Sequence, residues 1–142
     1  MRRPHLGLWV APFVAVTLLS ACREVSEEHV IEEPAKVEPL ESTDVARITL
    51  TGPAAERLDI QTVPVEQEEE QIVVPSAAVM VDPGGVFWVY TSPQPLVFIR
   101  HEISIDHETG DRAYLSGGPP AGTAIVTVGV PELYGAETGI GK

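Results

Sequence analysis

The residues best suited to chemistry lie between His101 and Asp111, where His101, Glu102, Asp106, His107, Glu108 and Asp111 fall within eleven positions. Imidazole with carboxylate is a donor set that Zn²⁺ or Cu²⁺ accepts. Strand alternation works against a site, because it places His101 with Ile99, Ile103 and Ile105 and puts Glu102 and Asp106 on the opposite face. That leaves His107, with Asp106 or Glu108, as the weak metal candidates at the turn, and polar strand-end residues are the simpler reading. No serine sits on a strand-to-helix elbow, so a nucleophile arrangement with histidine and an acid finds no support. The tail Gly135 to Lys142 resembles a phosphate loop only superficially. It has five residues between Gly135 and Gly141 where that motif needs four, and the chain stops where Ser or Thr and a helix should follow. These residues predict a non-enzymatic protein without a cofactor.

Cys22 is the only cysteine, so an intrachain disulfide is impossible. What precedes it explains it better. Arg2 and Arg3 form a positive start, Leu6 to Ser20 an apolar stretch of 15 residues interrupted by Pro12, and Leu19-Ser20-Ala21-Cys22 closes the segment. Helical spanning of a bilayer needs about 20 apolar residues, so residues 1–21 read as a cleaved signal and not as an anchor. The Leu-Ser-Ala-Cys tetrapeptide resembles the lipobox of bacterial lipoproteins. The resemblance implies that Cys22 carries a lipid, begins the mature chain and holds it to a membrane on the extracytoplasmic side. The alternative is an ordinary secreted protein with Cys22 buried or paired.

Removing residues 1–21 removes two of the nine basic residues and none of the 21 acids, leaving a charge of 7 − 21 = −14 over 121 residues. Nucleic acid and anionic headgroups would repel such a chain, and neither is an expected partner. Between Arg23 and Asp44 there are eight acids, two prolines, two bases and no aromatic residue. That composition cannot bury enough apolar surface to offset ordering, so residues 22–44 are predicted to be a disordered acidic tether.

From Val45 onward the pattern becomes that of short strands. Val45 to Thr51 is strand-like, and Gly52-Pro53 starts a short helix over Pro53 to Leu58, with proline where a missing N–H costs nothing. Ile60 to Glu66 and Gln71 to Val74 are β-branched runs parted by the acidic turn Glu68-Glu69-Glu70. Ala77 to Val81 and Val86 to Thr91 flank Asp82-Pro83-Gly84-Gly85, a hairpin signal. Leu96 to Asp106, Arg112 to Leu115 and Ala124 to Val130 follow, with a loop from Ser116 to Gly122. The spacing predicts an all-β fold, a small barrel with one short N-terminal helix over residues 45–134, and a flexible tail over 135–142. In the run Val86 to Tyr90, alternation allows either Phe87 and Val89 or Val86, Trp88 and Tyr90 to face the core.

The order of these pieces resembles a family. Ile48 to Thr51, Pro53 to Leu58 and Asp59 to Val65 look like the opening segment of periplasmic adaptor (membrane fusion) proteins of resistance-nodulation-division efflux pumps, particularly the heavy-metal type. Val74 to Val79, Phe87 to Tyr90, Phe98 to Ile105, Ser116 to Gly122, Val126 to Gly129 and Glu132 to Gly135 resemble their C-terminal membrane-proximal domain, a permuted SH3-like barrel. In full-length adaptors the chain leaves through a β-barrel, a lipoyl domain and a helical hairpin before it returns. Here Val65 and Val73 are parted by seven residues, so this is a short form without them. The resemblance implies a lipid-anchored accessory subunit of an efflux system, partnered by an inner-membrane transporter. It points to Trp88, Tyr90, Gly117, Gly118, Leu133 and Tyr134 as docking residues, with packing of Tyr134 over its own barrel as the alternative for that residue. The second functional reading is a stand-alone lipoprotein that binds a metal or small ligand.

Overall fold

The computed structural model describes residues 33–41 and 43–139, so the signal segment, Cys22 and the first part of the expected tether lie outside the described residues. The elements in chain order are β1 (Ala35–Pro39), β2 (Ala46–Leu50), α1 (Gly52–Arg57), β3 (Gln61–Pro64), β4 (Glu66–Glu68), β5 (Gln71–Pro75), β6 (Met80–Val81), β7 (Phe87–Gln94), β8 (Val97–Thr109), β9 (Arg112–Gly117), β10 (Ala124–Val128) and α2 (Val130–Thr138). The fold is all-β in class, a nearly closed barrel-like sheet with its helices packed against it.

The main path of antiparallel pairs runs β3-β10-β7-β8-β9-β5-β4. Its two ends are consecutive in sequence, because only Val65 separates β3 from β4. Pro64 has no N–H to offer a ladder, and the chain bends immediately after it. The bend is pinned from the β10 side, where the Val65 N–H donates to the Thr123 carbonyl at 2.8 Å and the Val65 carbonyl accepts from Gly122 at 2.9 Å. One bent run of chain therefore supplies both margins of the sheet, and little open edge is left between them. β8 is long enough to serve both halves. Its first part pairs with β2 and β7, and from Ser104 onward it pairs with β9, with register shifts between Ser104 and His107.

Two hydrophobic clusters form on opposite faces of this sheet. Ile48, Leu50, Tyr90, Phe98, Val126 and Leu133 are among those that pack between the sheet and the helices. Val65, Val74, Val89, Ile103, Leu115 and Ile125 belong to the second, inside the barrel. β7 and β10 feed both: Val89 and Ile125 point one way, and Tyr90 and Val126 the other. A strand buried on both faces reads as a continuous apolar run, which is why alternation alone left the Val86–Tyr90 orientation open.

The Asp82–Gly85 hairpin forms as its sequence predicts. The Asp82 N–H donates to the Val86 carbonyl at 3.0 Å, the Asp82 carboxylate accepts from the N–H groups of Gly84 and Val86, and Gly85 takes a φ of 83°. α1 starts one residue earlier than expected, with Thr51 as its N-cap accepting from the Ala54 N–H at 3.3 Å.

Two expectations are corrected. Residues 35–39, expected within the disordered tether, form β1, paired in register with β2 from Ala35↔Leu50 to Pro39↔Ala46. The acidic average over residues 22–44 hid a local alternation: Ala35 and Val37 share one face, Lys36 and Glu38 the other, and Ala35 packs against the first cluster. The expected flexible tail is also partly wrong. α2 runs on to Thr138, with Gly129 before it at φ 93° and Gly139 after it at φ 71°. Gly135 makes the segment look like a loop, but the burial of Val130 and Leu133 holds the helix where intrinsic propensity would not.

Candidate functional site

The most developed polar arrangement gathers where α2 crosses the margin of the sheet. Arg100 on β8 stands opposite Tyr90 on β7, and Glu137 stands four residues beyond the buried Leu133 on α2, hence on the same helix face. Both charged side chains are withdrawn from water, Arg100 to 8% exposure and Glu137 to 3%. Oε1 of Glu137 lies 3.2 Å from Nε of Arg100 and accepts the Ala46 N–H at 3.0 Å. Its other oxygen accepts the hydroxyl of Tyr90. The contact between Arg100 Nε and Glu137 is an ion pair without hydrogen-bond alignment, since that N–H has no hydrogen-bond partner.

The guanidinium is held on its other sides too. One Nη donates to the Asp44 carbonyl at 2.7 Å, and the second stands 4.0 Å from the Asp82 carboxylate. Its carbon lies 4.2 Å from the centre of the Trp88 ring and 5.9 Å from that of Tyr134, both in cation–π range. Trp88 is itself fixed by donating from Nε1 to Asp82 at 3.0 Å. The Val86 N–H holds the Asp82 carboxyl below its ordinary range, helped by Trp88, Gly84 and Arg100. Burial first, then the Glu137 carboxylate, pushes the Tyr90 phenol well above the usual range for tyrosine. Beside this cluster runs a groove of about 560 Å³ lined by Asp44, Asp82, Glu102, Trp88 and Arg100, among others. Three carboxylates against one guanidinium make it an acidic groove suited to cationic groups. Among the described residues, its lining pairs no nucleophile with a base.

A second network covers the outer face of β4, β5 and β9. Arg112 bridges Glu66 and Glu68, and the Tyr114 hydroxyl donates to Glu68 at 3.0 Å. The His107 ring stacks on Tyr114 with centroids 4.5 Å apart, and its Nδ1 lies 2.9 Å from Asp106. The Arg112 hydrogen bond lowers the Glu68 carboxyl, and contact with His107 lowers that of Asp106. The register shift before His107 explains why neighbours that strict alternation would separate can touch.

Of the weak metal candidates, His107 meets Asp106 and not Glu108: Glu108 stands opposite Ala113 while His107 stands opposite Tyr114, so Glu108 occupies the other face. Among the described residues, no three His, Cys, Asp or Glu groups converge on one point.

The expected docking residues divide. Trp88 and Tyr134 are half-buried and are brought together around Arg100. Tyr90 and Leu133 are fully buried and offer no side-chain surface, which removes them from any docking face. Gly117 pairs with Ser104, and Gly118 has a packing role, since a Cβ there would come within 2.9 Å of Leu115 and 3.2 Å of Ile103. Sequence reasoning missed Arg100, Glu137 and Asp82 as one unit, and only the i, i+4 spacing of Leu133 and Glu137 hinted at it. It also undervalued Phe87 and Val81, a cross-strand pair exposed at 41% and 57%.

No protein-family model matches the chain, and no curated protein or solved structure does either. The fold therefore defines the class directly: a small all-β barrel whose C-terminal helix is fastened to the sheet by a buried arginine–glutamate pair.

Proposed function

We propose that the chain is a lipid-anchored, non-catalytic extracytoplasmic subunit of an export system, docking on the periplasmic part of an inner-membrane efflux transporter. The observation that supports this reading is the tight β4–β5 hairpin, in which Glu66 pairs with Val73 and Glu68 with Gln71. In the full-length adaptors that the sequence resembles, the remaining domains interrupt the chain at this point. Here the segments on either side complete one barrel without them. The docking face is the exposed cross-strand pair of the β6–β7 hairpin, Val81 and Phe87. It offers apolar and aromatic side chains with little ordering cost.

The second reading, a stand-alone ligand-binding lipoprotein, draws on the acidic groove beside Trp88, whose chemistry suits a cationic solute. Mild crosslinking in intact cells, followed by purification of the full chain, separates the two. The first reading expects one transporter to be enriched with the wild type and lost with Phe87→Glu at an unchanged melting temperature. Recovery of no transporter overturns it, and so does equal recovery with Phe87→Glu.

A further inference from the structure

β1 carries a feature that the proposed function leaves unused. The Thr51 N–H donates to the Pro34 carbonyl at 3.0 Å, and the Leu40 N–H to the Val45 carbonyl at 3.0 Å. These two bonds flank the β1–β2 register and set its phase: even-numbered residues of β1 turn their backbone groups toward β2. The N–H and C=O groups of Ala35 and Val37, and the carbonyl of Pro39, therefore point away from it. Among the described residues, no strand pairs with that edge.

We propose that this edge is a seam between two copies of the chain, joined antiparallel about Val37. In that register each Val37 N–H donates to the Val37 carbonyl of the other copy, and each Ala35 N–H to the Pro39 carbonyl. Pro39, which has no N–H, stands where its carbonyl is what the other copy needs. The side chains agree with the backbone. Lys36 falls opposite Glu38 of the second copy, and Glu38 opposite its Lys36, so charges that pair within one strand at 3.0 Å can pair across the seam. A strand complementary to itself selects a second copy over an unrelated strand.

The neighbouring surface fits the same occupant. A mainly apolar groove of about 210 Å³, lined by Glu33, Pro34, Ala35, Val37 and Ala136, runs beside the edge and would be covered from both sides. Pro34 and Pro39 confine the seam to five residues, and the two-fold arrangement uses up the edge, so pairing closes as a dimer and does not grow into a fibre.

The test is the mass of the detergent-solubilised full chain, by sedimentation across a concentration series, for three variants. Val37→Pro removes an outward N–H without removing a bond to β2. Lys36→Glu sets like charges opposite one another, and Lys36→Glu with Glu38→Lys restores the complement. Dimers are expected for the wild type and the double swap, with dimerisation roughly tenfold weaker or lost for the two single changes. If Val37→Pro proves unstable on melting, the charge set decides alone. A wild type that stays monomeric overturns the proposal, as does a dimer indifferent to the single changes or a double swap no better than Lys36→Glu. Capture of another protein's strand by a monomeric wild type overturns it too.

Discussion

Glu137 does three things with one carboxylate: it balances Arg100, receives the Ala46 N–H and receives the Tyr90 hydroxyl. Removing it leaves a guanidinium at 8% exposure without its nearest counter-charge, and breaking such a pair from one side typically costs about 3–5 kcal/mol. Glu137→Ala is expected to lose that much in urea denaturation. Replacing Arg100 by Met as well should return part of it, because no charge is then stranded. Tyr90 adds a pH dependence. Its phenol is raised in the folded state, by burial and then by Glu137, so at high pH the unfolded chain releases a proton that the folded chain keeps. Stability from this group is complete below the ordinary tyrosine range and falls as pH rises beyond it. Tyr90→Phe should flatten that alkaline fall in a series of melting curves, and an unchanged slope would show that other groups cause it. None of this was legible in sequence. Arg100 and Glu137 are 37 residues apart and belong to elements whose meeting only the fold decides.

At the scale of elements, the strands with turn chemistry around them were readable and the two flanking elements were not. Asp82 to Gly85 specifies its own hairpin through a carboxylate and a positive φ, so local residues suffice. β1 and α2 have no comparable local code. Each is held by what it packs against, and their compositions, acidic in one and glycine-containing in the other, resemble those of solvated segments. This separates two outcomes for truncation. A chain ending at Tyr134 would be nearly as stable as the whole if residues 135–142 were a loose tail. With Glu137 in the Arg100 clamp, the truncated chain should instead lose about 3 kcal/mol or more. Gly129→Ala probes the entry to the same helix. Its φ of 93° strains any L side chain, and a Cβ 2.1 Å from Ile60 Cδ1 would also make the end of that side chain shift, so a cost of about 1–3 kcal/mol is expected on thermal melting.

At the scale of the whole molecule, among the described residues both hydrophobic clusters are built from residues between Ala35 and Tyr134, all of them beyond Cys22 in the chain. The lipid hypothesis, which puts the anchor outside both clusters, is testable at one atom. The class of fold was legible because strand spacing and turn residues recur along the chain. The anchor rests on a different signal, the apolar leader ending in Leu19-Ser20-Ala21-Cys22. If the Cys22 sulfur carries the lipid, Cys22→Ser should move the protein from the membrane fraction to the soluble extracytoplasmic fraction, since a hydroxyl does not replace the thiol in that modification. The melting temperature of the barrel should not change, because no residue of either cluster is touched. The chain's acidity sharpens the readout: with a charge of −14 if residues 1–21 are removed, it would be repelled by anionic headgroups and have no electrostatic reason to stay. A Cys22→Ser protein that remains in the membrane fraction through a high-salt wash would overturn the lipid anchor. Release by the wash alone would point instead to retention by a membrane-bound partner.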